Sequence, residues 1–399
     1  MLWEPTRKAA LARLAAFVPH AGRDYASGRN VDRGPLDRSN VSALSPYIRR
    51  RMITEEEVVR AVLHQHSFAA AEKFVQEVAW RTYWKGWLEM RPDMWARYQA
   101  ELTTATAGLA DNSALNRRYQ KAIEGRSGID CFDVWVDELL TYGWLHNHAR
   151  MWFASIWIFT LGLPWQLGAD FFDRHLLDAD PASNTLSWRW VAGLHTRGKH
   201  YVARAENIEQ NTLGRFNPAG QLNERALPLP EDAPAPPAMM PQLDRPMLDK
   251  RVALILTEED LHPESWDIDA QVVAIAVLPS AKRADDDSPA AQFSRGALDD
   301  AADRAQAYFG LPVEAIEVDQ LSGWGRGHDV RQLVTAYPPI GAIAQQLNSA
   351  EKSLKQNGLE LVRLTRDWDR NLWPLATAGF FKLKTKLPDI AQEYVAGLA

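Results

Sequence analysis

The sequence predicts a multidomain α and α/β protein, with an all-helical domain followed by a doubly wound, parallel-sheet α/β domain. Three observations predict it. The chain has 399 residues, more than the roughly 100–200 of one ordinary domain. Residues 228–246 (PLPEDAPAPPAMMPQLDRP) hold seven prolines in 19 positions, which favours an extended linker and excludes a helix or central strand. Across that stretch the apolar pattern changes from helical spacing to short runs alternating with helical segments. The expected division is a helical domain over 1–222, a Pro-rich linker over 223–247 and an α/β domain over 248–399.

In the first half, Thr54–Gln65, Ala69–Glu89, Asp130–Thr141 and His146–Leu161 repeat apolar residues at helical spacing, and Thr54 followed by Glu56 and Glu57 reads as a helix start. The apolar run Met151–Leu163 has 13 residues, short of the roughly 20 that span a bilayer, so it reads as a buried helix. In the second half VALILT (252–257), QVVAIAVL (271–278), VEAIEV (313–318), IGAIA (340–344) and LELVRL (359–364) are apolar, β-branched runs. Polar helical stretches such as Arg295–Tyr308 and Ser349–Asn357 separate them, which predicts parallel strands covered by helices.

Composition narrows the class further. With 46% hydrophobic and 24% charged residues, the chain is neither disordered, collagenous nor membrane-spanning in character. Its one cysteine, Cys131, excludes an internal disulfide, a four-thiolate cluster and a zinc ribbon, and reads as a buried small side chain. The opening segment lacks an apolar stretch with a cleavage site, so a cytoplasmic location and no membrane partner are expected. The histidine pairs 64/66 and 146/148 lack a carboxylate or thiolate set at ligand spacing, and no metal is expected. The net charge of −6 divides into +3 for residues 1–222 and −9 for 223–399, which makes the second half a poor nucleic-acid surface. Twelve of the 16 tryptophans precede the linker, so whatever uses indole rings is in the first half.

Three groups of residues carry chemistry. Hydroxyls and backbone N–H groups at a helix start, joined by a fixed cation, hold a dinucleotide diphosphate; Ser42, Ser45 and Arg81 supply that set, although SALSP taken alone reads as an ordinary helix N-cap. Glu77, Trp80, Arg81 and Trp84 fall at i, i+3, i+4 and i+7, so one helix face presents a carboxylate, a cation and two indoles. Asn147, Arg150 and Met151 lie within one helical turn and line one cavity. Asp178 and Asp180, taken alone, read as a solvated turn beside Pro181. Trp188 and Trp190, about 200° apart on a helix, serve different surfaces.

Four blocks, in order, resemble the flavin-binding helical domain of the DNA photolyase and cryptochrome family: Tyr25 with SNVSALSPYIRRRMIT (39–54), EVAWRTYW (77–84), GWLHNHARM (143–151) and LLDADPASNTLSWRW (176–190). The resemblance implies FAD held by Tyr25, Ser42, Leu44, Ser45, Arg81, Asn147, Arg150, Asp178, Asp180 and Asn184. Within that set it implies that Asp178 partners Arg150, that Asp180 accepts from the isoalloxazine N3–H and that Asn147 faces flavin N5. It implies a lesion cavity shaped by Glu77, Trp80, Met151 and Trp190, and an electron path beginning at Trp188 with Trp165 next. The implied catalytic set is Glu77, Asn147, Trp188 and Trp165. The implied function is blue-light-driven repair of cyclobutane pyrimidine dimers in damaged single- or double-stranded DNA. The alternative is a cryptochrome-like photoreceptor or redox sensor with a protein signalling partner.

The sequence also departs from the family's pattern. Asn112 stands where the outer tryptophan of the electron path is expected, leaving Trp95, Tyr98, Tyr119, Trp152 and Trp157 as alternatives. His148 replaces a frequent arginine, and the tail 196–212 keeps Arg197, Lys199, His200 and Arg204. The lone cysteine excludes the family's iron–sulfur branch. The α/β segment follows the helical domain instead of preceding it, an order that reads as permuted. Its sequence shows no specific motif for a second, antenna chromophore; GWGRG (323–327) reads as a turn and FFKLKTKLP (380–388) as a solvated face.

Overall fold

The computed structural model describes residues 3–196, 198–230, 235–243, 247–279 and 287–396; Arg197 of the basic tail and 231–234 and 244–246 of the expected linker lie outside them. The first half is helical throughout these residues: α1 (Arg7–Phe17), α2 (Arg23–Gly28), α3 (Ser45–Arg49), α4 (Glu55–Leu63), α5 (Phe68–Glu89), α6 (Pro92–Asp111), α7 (Ser113–Ile123), α8 (Asp130–Tyr142), α9 (Asn147–Ser155), α10 (Trp165–His175), α11 (Pro181–Ala192) and α12 (Ala205–Asn211). Local chemistry sets the ends that matter for the site. Thr54 and Glu57 form a reciprocal capping box on α4, Ser67 caps α5, and Asp180 caps α11 with Pro181 in its first turn. A π-helical turn, Ile156–Thr160, continues α9 through the apolar run. Among the described residues no helix is long and apolar enough to cross a membrane.

The second half forms a five-stranded, all-parallel sheet of β1 (Arg251–Leu256), β2 (Gln271–Val277), β3 (Val313–Ala315), β4 (Gln332–Ala336) and β5 (Glu360–Leu364), in the order β3-β2-β1-β4-β5. Connections leave β1 towards both edges, the doubly wound arrangement. Of the intervening helices α13 (Pro289–Phe309), α14 (Leu321–Gly327) and α15 (Ala342–Gln356), α13 packs with Val252, Leu254 and Val334 on one face, while α14 and α15 pack with Ala253, Ile255 and Leu333 on the other. Three further helices, α16 (Asp367–Leu372), α17 (Phe381–Lys384) and α18 (Leu387–Ala396), follow β5.

Two sequence expectations are corrected here. IGAIA (340–344) is not a strand: Ile343, Leu347, Ala350 and Leu354 are buried at helical spacing in α15, and the fourth strand is QLVTA (332–336), buried along its whole length. A short apolar run cannot by itself distinguish the two. GWGRG is the end of α14 rather than a turn, with Leu321 and Gly325 packed inward.

One core joins the halves. Phe74, Val75 and Val78 of α5 and Val58 and Val62 of α4 pack in a single buried cluster with Phe293 and Ala297 of α13, Trp368 and Leu372 of α16, and Leu383 and Leu387. The approach is close enough that a Cβ on Gly86 would lie 2.7 Å from the Trp373 Cα, so only glycine fits there. Beside it, buried Glu89 accepts from the Tyr337 hydroxyl at 2.8 Å and from the Ile340 N–H at 2.7 Å. Burial pushes its carboxyl up to about 7 from 4.5. The folded chain therefore holds this proton more tightly than the unfolded one, and stability is lost as pH rises from about 4.5 through 7. Glu89→Gln has no such proton to lose. Between pH 4.5 and 8 it should gain on the order of 3 kcal/mol relative to the unsubstituted chain in urea unfolding, and a difference that stays constant with pH would contradict this.

Candidate functional site

Helices α2, α3, α5, α9 and α11 and the loops before α3 and α11 converge on a pair of adjoining cavities of about 420 and 490 Å³. They share Glu77, Arg81, Asn147, Arg150, Met151 and Asp178 as walls, so they form one elongated site. The smaller cavity is completed by Tyr25, Ser42, Leu44 and Ser45, and the larger by Trp80, Asp180, Asn184, Trp188 and Trp190. Every site residue expected from the sequence lines one or both, except Trp165. Ala43, at φ 47° in the left-handed region, turns the loop between Ser42 and Ser45 so that both serines reach the same cavity.

The charges of the site are ordered by direct pairing. Arg150 meets both oxygens of Asp178 at 3.0 Å, a two-pronged contact, and its Nε donates to the Leu145 carbonyl at 3.0 Å. Arg81 lies 3.9 Å from Asp178 and 3.8 Å from Asp180, and donates to the Ser183 hydroxyl at 3.4 Å. Both aspartates are buried, at 3% and 1% exposure, which corrects the solvated-turn reading. Burial alone would raise the Asp178 carboxyl, but Arg150 and Arg81 hold it below the usual range. The same contest, settled by Lys85, Arg81 and Arg49, keeps Asp180 far below it. Glu77 behaves oppositely. Although 40% of its side chain is accessible, it stands in the walls of both cavities, and desolvation raises its carboxyl against the pull of Arg29, 3.8 Å away, and Lys73.

The indoles sort differently from expectation. Trp188 and Trp190 diverge on α11, with Trp188 packed towards Phe172 and Trp157 and Trp190 towards Tyr201, yet both reach the larger cavity. The expectation that they serve separate surfaces is corrected, because the cavity is long enough for side chains on two sides of a helix to meet it. Trp80 is stacked on Phe380 of the second half, with ring centroids 3.9 Å apart and planes 15° apart, and Trp84 lies tilted at 5.4 Å. Trp165 stands apart from both cavities and stacks on Tyr98 at 5.5 Å. The indole beside Trp188 is Trp157, at 6.2 Å edge-on, followed by Tyr119 at 6.0 Å. Gly168 permits that contact, since a Cβ there would meet the Trp188 ring at 2.3 Å and the Trp157 Nε1 at 2.9 Å.

Residues that sequence reasoning missed are mostly cations. Lys85 is 1% exposed and pairs with Asp180 at 3.5 Å; Arg49, 3.9 Å from Asp180, is clasped by Glu259 of the second half through two 2.8 Å hydrogen bonds. Lys85 was detectable as one turn beyond Arg81 on the same face of α5. Cys131 is buried, its thiol pushed up to about 12, and among the described residues no three His, Cys, Asp or Glu side chains converge as metal ligands.

The donor set suits a diphosphate-linked dinucleotide at one end and a ring with an N–H donor facing ionised Asp180 at the other. Residues 74–257 match the FAD binding domain of DNA photolyase. Over this helical part the chain is similar to proteins of the photolyase/cryptochrome family. A deoxyribodipyrimidine photo-lyase of Alkalihalophilus pseudofirmus is 28% identical over 209 residues, 51% of this chain and 42% of that protein. A deoxyribodipyrimidine photo-lyase of Thermus thermophilus is 31% identical over 243 residues, 59% of this chain and 54% of that protein. A bacterial class III photolyase from Agrobacterium tumefaciens has a crystal structure that aligns at a TM-score of 0.43 and 25% identity, covering 52% of this chain and 43% of that one. The chain spans about half the length of the curated relatives it matches.

Proposed function

We propose that this chain is an FAD-dependent, blue-light-driven photolyase that reverses cyclobutane pyrimidine dimers in DNA, with the sheet-bearing half placed after the flavin domain. The observation that supports it most is the shared wall: Glu77, Met151 and Trp190 stand in the same cavity as Asn147, Arg150, Asp178 and Asp180. FAD, when bound, supplies an excited donor of one electron. Ser42, Ser45 and Arg81 hold its diphosphate, ionised Asp180 accepts from the ring N3–H, and the Arg150–Asp178 pair fixes the wall on which Asn147 faces N5. Glu77, kept protonated more readily than an ordinary carboxyl, donates a hydrogen bond to a pyrimidine carbonyl, while Met151 and Trp190 exclude water from a flipped-out dimer. Trp188 takes the hole left by photoreduction and passes it along the ring contacts to Trp157 and Tyr119.

The test is dimer loss from an irradiated oligothymidylate by the purified, flavin-loaded, reduced and illuminated protein; no loss with flavin bound would end this reading. In the same preparation Trp157→Phe should remove most of the photoreduction amplitude seen by transient absorption. Loss with Trp165→Phe alone would instead route the hole through Trp165 and Tyr98.

A second reading, a cryptochrome-like photoreceptor or redox sensor without repair, is favoured by one observation. Asp180, in the cavity wall, is linked through Arg49 to Glu259 of the sheet-bearing half, a route from flavin charge to a signalling surface. Photoreduction retained without dimer loss would support it.

A further inference from the structure

The segment FFKLKTK (380–386) runs along the outside of the helix that carries the cavity's lesion-facing residues. It is pinned at one end: Tyr83 donates to the Ala378 carbonyl at 2.8 Å, Arg91 to the Thr377 carbonyl at 2.9 Å, and Phe380 stacks on Trp80 at 3.9 Å. At the other end Lys384 lies 3.4 Å from Glu72. Trp80 and Glu72 are eight residues apart on α5, about 12 Å along its axis, so the two contacts bracket the part of α5 that carries Glu77.

The chemistry of this stretch is unlike the rest of its half. Residues 373–388 contain three lysines and no acidic residue, in a half whose net charge is −9. Phe381 is 74% exposed, and Lys382 and Lys386 are exposed beside it. An exposed ring between cations is the surface on which an unpaired base stacks while the lysines meet phosphates.

We propose that Phe381, Lys382 and Lys386 form a nucleic-acid-binding rim supplied by the sheet-bearing half, holding the strand beside the flipped nucleotide. Phe380 acts as a positioning residue that sets the plane of Trp80. This rests on the photolyase reading of the cavity and adds to it a contact from outside the flavin domain.

The experiment uses the full-length, flavin-loaded protein and a fluorescein-labelled oligothymidylate carrying one cyclobutane dimer, with binding followed by anisotropy across a salt titration. K382Q/K386Q should reduce the slope of log affinity against log salt by about 1–2. F381A should weaken binding roughly 5- to 150-fold, the range for one base–aromatic stack, with flavin absorbance unchanged. Unchanged slope and affinity in both variants would overturn the rim while leaving the photolyase reading intact. Failure of the unsubstituted protein to bind would overturn that reading itself. If F381A alters sedimentation of the free protein and not oligonucleotide binding, the face belongs to a second copy and the rim is overturned.

Discussion

Replacing Arg49 by alanine should cost about 3–5 kcal/mol of folding stability, the loss typical when one partner of a buried ion pair is removed. Its guanidinium is 4% exposed, spans both oxygens of Glu259 at 2.8 Å, donates to the Ala179 carbonyl at 2.6 Å and stands 3.9 Å from Asp180. Without it Glu259, itself 5% exposed, keeps a negative charge away from water and from its neutralising cation. The measurement is urea unfolding followed by tryptophan fluorescence and far-ultraviolet circular dichroism. Both probes should report one transition, because a single core contains side chains from both halves. Arg49→Met combined with Glu259→Leu removes both charges and should recover part of the loss. A single-substitution cost below about 1 kcal/mol, the value of a surface pair, would show that water screens this contact.

Arg150→Ala should weaken FAD retention by roughly 10- to 150-fold, equivalent to about 1.5–3 kcal/mol for a hydrogen bond to a charged group. The two-pronged contact at 3.0 Å is what aims Asp178 and fixes the wall carrying Asn147. Its loss leaves Asp178 the more distant Arg81, at 3.9 Å, and the Ser45 hydroxyl. Flavin absorbance per protein after dilution and gel filtration reads the effect, and full retention would contradict it. Asp178→Asn keeps one acceptor for Arg150 and should lose less. Because the Asp178 carboxyl lies below its usual value of 3.8 in the folded chain, its stabilising contribution is present above that pH and is lost only as pH falls further, through the folded value. Loss of stability through this pair is therefore an acid-side event, whereas the Glu89 effect appears on the neutral side.

The residues of the site were legible where their spacing along one element decides which way they face. Glu77, Trp80, Arg81 and Trp84 share a helical stripe, and Asn147, Arg150 and Met151 share a turn, so helical geometry alone brings each group to one surface. Strand placement was less legible: IGAIA and QLVTA are both short and apolar, and only burial against the sheet separates them. The contact between Trp188 and Trp157 was least legible, since the two lie on different elements and meet because Gly168 lets the rings close.

The sequence by itself determined that a helical domain is joined to a parallel α/β domain, because apolar period and capping residues are local signals. Only the tertiary structure decided that Phe380 lies on Trp80, that Glu259 clasps Arg49 and that one core serves both halves. Those partners are 300 and 210 residues apart in the chain. No periodicity reaches so far; such contacts are selected by the mutual fit of whole surfaces, where excluding water from apolar side chains outweighs the ordering of the chain that brings them together.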